Sequence, residues 1–341
     1  MMAHKGLEIG GISIRPGETQ KIDLPAGRLY TDASLSIPVY VKRGKQDGPT
    51  LFLSAAIHGD ELNGIEIIQR LIHSSRLRGL RGTLIAVPMV NVYGVINHSR
   101  YLPDRRDLNR SFPGSKKGSL AGRMANLFLE EIVSKCDYGI DFHTGAIHRS
   151  NLPQIRANLD DEKTAAMARA FGVPVLLNSN LRDGSLREAA TDLGVSILLY
   201  EAGEALRYDE LSIRAGERGT INVMRHLGML PKSRSKKTII EPVTARTSRW
   251  ARATDSGFVQ LHKELGDRVQ SGELLATIRD PYGNVLNEVR TAYEGIIIGK
   301  QNIPLAQEGE AMYHIAYFHQ PADVMQGIEQ LQDLLPDDLN Q

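Results

Sequence analysis

Between residues 49 and 230, short apolar runs alternate with stretches whose apolar residues recur every three or four positions. This alternation restricts the fold more than any other feature of the chain. The run over 50–56 predicts a buried strand, and Ile65, Ile68, Leu71 and Ile72 predict a helix over 61–71. A second strand is expected over 83–88. A helix is expected over 119–133, with Leu120, Met124, Leu127, Phe128 and Ile132 on one stripe. Further strands are expected over 138–142, 154–157, 173–177 and 195–200, and helices over 160–171 and 209–227. Strands alternating with helices imply an α/β fold, a sheet flanked by helices on both faces. Ligands of such sheets sit beyond the carboxyl ends of the strands.

The flanks read differently. Residues 1–48 are expected to be a β-rich segment packed on the main unit, with a strand over 35–41 and turns at Pro16-Gly17, Pro25-Ala26-Gly27 and Asp47-Gly48. Residues 231–238, PKSRSKKT, read as a solvated basic linker. Beyond it, Gly257-Phe258-Val259 matches Gly295-Ile296-Ile297, and the stretch 272–278 matches 309–315. Two such halves predict a small pseudo-symmetric β-rich barrel or sandwich over 239–320, whose texture resembles biotinyl/lipoyl-like domains. Those carry a cofactor on a hairpin lysine, and the segment 279–284 between these halves holds none, so no carrier role is expected. In the last segment, 321–341, Val324, Ile328, Leu331 and Leu335 predict a packed amphipathic helix.

At 341 residues, a prior of about two domains applies. Lys plus Arg number 41 against 40 Asp plus Glu, which gives no basic field to recruit nucleic acid. Neither a signal peptide nor an apolar run long enough to span a membrane is read, so a cytoplasmic protein is expected. The single cysteine, Cys136, excludes an internal disulfide and a four-cysteine metal site but leaves a histidine/carboxylate site open.

Four short elements carry the chemistry. In His58-Gly59-Asp60-Glu61, at a predicted strand-to-helix turn, an imidazole and a carboxylate can face one point, with Gly59 read as allowing the turn. The same pattern also fits a helix N-terminal carboxylate. Asp107-Leu108-Asn109-Arg110 sets an amide beside a guanidinium, a pairing suited to a carboxylate, within a loop that also holds Arg100, Arg105 and Arg106. Asp141-Phe142-His143 puts a histidine at a strand end, with Asp141 able to orient its ring. Finally Tyr200-Glu201-Ala202-Gly203 closes an apolar strand with a carboxylate that is costly to bury without a task or a partner.

Together and in this order, HGDE, DLNR-x-FPG, DFHTG and YEAG resemble the succinylglutamate desuccinylase/aspartoacylase family of the zinc carboxypeptidase clan, over about residues 49–320. The resemblance implies a zinc-carboxypeptidase-like mixed sheet flanked by helices over 49–230, with the small β-rich domain appended. It implies one zinc per chain on His58, Glu61 and His143, with a fourth position for water. Glu201 is implied as general base and acid, and Asn109 and Arg110 as the holders of a substrate carboxylate. An arginine polarising the scissile carbonyl is also implied, with Arg100 and Arg106 as candidates. The appended domain is expected to help read the substrate, and Tyr282 and Tyr293 are open to that role. Asp60 is read as an orienting residue for neighbouring Arg or His side chains rather than a catalytic one.

The expected activity is hydrolysis of the amide of an N-acylated amino acid or related small amine, on a small-molecule substrate and without nucleic acid or membrane. A homo-oligomer is compatible with the chain. The alternatives are a metallocarboxypeptidase acting on peptides, a zinc-binding protein without turnover, and a lipoyl-type carrier. The presence of Glu201 argues against the second of these and the missing hairpin lysine against the third.

Overall fold

A computed structural model describes residues 6–179, 183–232, 240–245 and 247–335. The basic stretch expected as a linker lies mostly outside the described residues.

The expected mixed α/β sheet is present. Strand Gln46–Ala55 pairs in parallel with Arg81–Val87 on one side and Tyr138–Gly145 on the other, and Tyr138–Gly145 pairs in parallel with Ser196–Glu204. Antiparallel strands extend both flanks: Ser34–Arg43 and Thr19–Arg28 beyond Arg81–Val87, and Arg149–Ala157 beyond Ser196–Glu204. Alternation along the central strand feeds two cores. Leu51, Leu53 and Ala55 pack with helices Asn63–His73, Glu162–Phe171 and Glu210–His226. Phe52 faces the other way, onto helices Leu120–Glu131 and Leu186–Asp192, and meets Phe128 edge to face. Both faces are covered, which is why these strands read as continuous apolar runs. The helices begin where side chains satisfy free N–H groups: Ser119 accepts from Gly122, Asp161 from Thr164 and Asp209 from Ser212.

The C-terminal repeat splits between two sheets. Its first half supplies Gly257–Leu261 and Leu274–Arg279 to a four-stranded sheet. Its second half supplies the corresponding Gly295–Gln301 and Ala311–Tyr317 to the large sheet. Each half also lends a two-residue strand to the other's sheet, Arg268–Val269 against Gly295–Gln301 and Leu305–Ala306 against Gly257–Leu261. The repeat is joined to the central sheet by direct strand pairing, since Gly299, Lys300 and Gln301 lie opposite Asn151, Ser150 and Arg149. Among the described residues the large sheet therefore has thirteen strands, ten of them in one unbroken path and three pairing off it. Helix Pro321–Leu334 packs back on the molecule through Val324, Ile328 and Leu331. No described helix is long and apolar enough to cross a membrane.

Cys136 is buried after helix Leu120–Glu131, where its Sγ donates to the Ile132 carbonyl at 3.2 Å, and burial pushes its thiol pKa upward. Since the thiolate is the reactive form, we expect no reaction with a thiol reagent at pH 8 in the native protein and one equivalent after unfolding in urea. Rapid labelling of the native protein would contradict this packing.

Candidate active site

The carboxyl ends of Gln46–Ala55, Tyr138–Gly145 and Ser196–Glu204 meet at one edge, in a register that sets Ala55 beside Phe142 and His143 beside Glu201. The chain leaves the first of these strands through Ala56, in the left-handed region at φ 51°, and turns back so that the Glu61 N–H donates to the His58 carbonyl. Gly59 is the second residue of this turn, but it is not conformational freedom that requires a glycine there. Its φ is not left-handed, and its role is close approach: a Cβ there would lie 1.9 Å from the Gly94 carbonyl carbon.

His58, Glu61 and His143 are all buried and offer ligand atoms within 4.8 Å of one another. Glu61 lies between the two imidazoles, with Oε1 2.7 Å from His58 Nδ1 and Oε2 2.7 Å from His143 Nδ1. The Thr144 N–H also donates to Oε2, at 3.2 Å. Each outer ring nitrogen meets a carboxylate: His143 Nε2 lies 2.7 Å from Asp141 and His58 Nε2 lies 3.2 Å from Asp107. Asp141 thus has the orienting role expected of it, and Ser54 fixes its other oxygen at 2.7 Å. Burial alone would raise Glu61, but the two imidazoles hold it well below the usual carboxylate range. Burial alone would lower His143, yet Asp141 and Glu61 raise it well above its ordinary value.

A cavity of about 860 Å³ opens over this cluster. Arg100 lines it, with one Nη 3.2 Å from His58 Nδ1 and 3.4 Å from Glu61, while its other nitrogens hold Asp107. Asn109 and Arg110 line it too. The Asn109 oxygen accepts from the Leu186 N–H, so the amide NH₂ is the end left for a ligand. Glu201 lines it from the neighbouring strand, where Asn151 donates to its Oε2 at 2.6 Å and Arg156 lies 3.2 Å away.

Three expectations are corrected. Arg106 does not reach the cavity: its side chain is 63% exposed and lies 4.0 Å from Asp104, because the backbone directs Arg100 and not Arg106 inward. Among the described residues the Asp60 side chain forms no hydrogen bond to an Arg or His, and its Oδ1 is buried without a partner, so the orienting role expected of it is not seen. Tyr282 is fully on the surface and Tyr293 half-exposed against Arg249, both outside the cavity. The C-terminal β-rich region instead contributes Trp250 and Arg252, from the strand before the repeat, and Glu310 and His314. Sequence reading also missed Arg149, Asn151, Arg156 and Arg187. A tryptophan that is the chain's only one was the single signal available.

Residues 47–227, more than half of the chain, match the catalytic domain of succinylglutamate desuccinylase and aspartoacylase. The chain belongs to this family. It is 28% identical over 298 residues, 83% of this chain and 86% of its relative, to the N-alpha-acetyl-L-2,4-diaminobutyric acid deacetylase of Halomonas elongata. A product-bound ectoine utilization protein from Ruegeria pomeroyi superposes with a TM-score of 0.79 at 25% identity, over 89% of this chain and 96% of its own. A succinylglutamate desuccinylase/aspartoacylase from Rhodobacter sphaeroides gives the same score and identity, over 89% and 97%. The named relatives of this desuccinylase/aspartoacylase family member include a deacetylase and a desuccinylase, hydrolases of amide bonds.

The tight seat of Gly59 against Gly94 gives a stability test. We expect Gly59→Ala to lower stability by about 1–3 kcal/mol through overpacking, read as a lower urea midpoint. An unchanged midpoint would mean that the turn has slack.

Proposed function

We propose that this protein is a zinc-dependent hydrolase that cleaves the amide of an N-acylated amino acid or a related small amine. What carries the reading is the convergence, in one cavity of a family member, of the His58–Glu61–His143 cluster with Glu201 on the adjacent strand. The donor set fits zinc: two imidazoles and one carboxylate match a catalytic site with a position to spare. Asp141 and Asp107 supply the outer contacts that metal-bound histidines need. When bound, the ion would act as a Lewis acid toward the scissile carbonyl and acidify a water.

In this reading the chain's own groups divide the remaining work. Asn109 and Arg110 hold the substrate carboxylate. Arg100, which alone of the two candidate arginines lines the cavity, faces the carbonyl oxygen where negative charge develops. Glu201 takes a proton from the attacking water and returns it to the leaving nitrogen, giving a free carboxylate and an amine. Six arginines line the cavity among the described residues (Arg100, Arg110, Arg149, Arg156, Arg187 and Arg252), which favours carboxylate-bearing substrates. Trp250, Arg252 and His314 from the C-terminal β-rich region wall the cavity, which supports a small substrate over the peptide of a metallocarboxypeptidase.

The central test is Glu201→Gln. Purified protein and variant should both hold about one zinc per chain, while the variant loses at least about 100-fold in kcat on N-acyl amino acids. Full turnover in the variant, or in metal-free protein, would remove the mechanism. For the carboxylate anchor, Arg110→Ala should raise KM roughly tenfold for substrates with a free carboxylate and leave amides without one nearly unaffected. Equal losses on both would argue against an anchor.

A further inference from the structure

Among the described residues, the hydrogen bond and the ion pair that reach the Glu201 carboxylate fall on one oxygen. Asn151 Nδ2 donates to Oε2 at 2.6 Å and an Arg156 Nη lies 3.2 Å from that same atom. A carboxylate fixed through one oxygen keeps the other for the reacting proton. What steadies Asn151 lies across the sheet. Gly203, Asn151, Gly299, His314 and Trp250 stand opposite one another in sequence over five adjacent strands. Trp250 and His314 stack with ring centroids 4.6 Å apart and planes 9° apart. Next in the row, Gly299 has no side chain, and the Asn151 amide uses the space this leaves. A Cβ at 299 would lie 2.9 Å from Asn151 Oδ1 and 3.0 Å from His314 Cβ. His314 cannot give way, because its strand is paired on both sides. The Asn151 amide is the end that can swing.

We propose that Asn151 is a positioning residue for Glu201, and that Gly299, from the C-terminal repeat, keeps Asn151 in place by leaving its amide room. The repeat is then a structural part of the catalytic apparatus. Arg156 reaches Glu201 from the strand on one side, His143 stands in register on the strand on the other, and Arg187 and His314 line the same cavity. Burial and Arg156 push His314 down to about 3, so this wall brings no change of charge near neutral pH.

The proposal rests on the role assigned above to Glu201, and its test has one arm that does not. Gly299→Ala, Asn151→Ala and the double variant would be made in the zinc-loaded protein. A crystal structure of Gly299→Ala should show the Asn151 amide turned away, with Nδ2 no longer in hydrogen-bond range of Glu201, while strand pairing and zinc content stay as in the parent. Persistence of that contact overturns the proposal whatever the enzyme hydrolyses. In kinetics each single variant should lose about tenfold in kcat with little change in KM, as expected when the general base is mispositioned while substrate binding is kept. The double variant should be no worse than Asn151→Ala, since both changes act on one contact. Multiplying losses, or a loss carried by KM and not by kcat, would reduce Gly299 and Asn151 to general packing. If Gly299→Ala does not fold, the double variant, which lacks the clashing amide, should fold and match Asn151→Ala. A wild-type protein inactive on every N-acyl amino acid would instead remove the functional reading and leave the structural arm to decide.

Discussion

The site depends on one buried carboxylate. Glu61 lies in the interior between two imidazoles, where an unpartnered charge would cost several kcal/mol. Its two oxygens are each taken by a histidine, one three residues away and the other 82 residues away. That arrangement exists only because strands Gln46–Ala55 and Tyr138–Gly145 are parallel neighbours ending at the same level. The outer carboxylates, Asp107 and Asp141, then fix the far side of each ring. Displacing either strand by one residue would turn His143 to the opposite face and leave Glu61 buried with half its partners.

From that cluster the sheet extends outward as a ruler. Pairing places Glu201 beside His143, Arg156 and Asn151 one strand further, and the C-terminal repeat beyond them. The C-terminal β-rich region thereby walls the cavity with Trp250, Arg252 and His314 from positions fixed by backbone hydrogen bonds. A wall attached by pairing has its geometry set residue by residue, unlike one attached through a flexible connection.

Much of this was legible in the chain, for identifiable reasons. Strands buried on both faces must be apolar runs, so the central strands could be found, as could the helices whose stripes cover them. Metal-binding chemistry needs particular side chains at strand ends, and His58, Glu61, His143 and Glu201 stood there. Strand Thr19–Arg28 was missed because it is half-exposed at an edge and carries polar residues, Pro25 and Gly27. Helix Leu186–Asp192 was missed because seven residues are too few to display a period. Arg106 could be set behind Arg100 only because it directly precedes Asp107, since which of two nearby loop arginines points inward depends on backbone turns such as Arg105, which has φ 64°.

The sequence alone determined the chemical inventory and its placement at the ends of buried strands, because apolar periodicity and side-chain type are local properties. It also showed the repeat in the C-terminal β-rich region, whose two halves supply corresponding strands to two sheets. Only the tertiary structure decided which distant residues became neighbours: Asn151 and Arg156 on Glu201, Gly299 under Asn151, and Trp250 and His314 in the cavity wall in place of Tyr282 and Tyr293. Those pairings follow from sheet register, and register is settled by the packing of all the strands together.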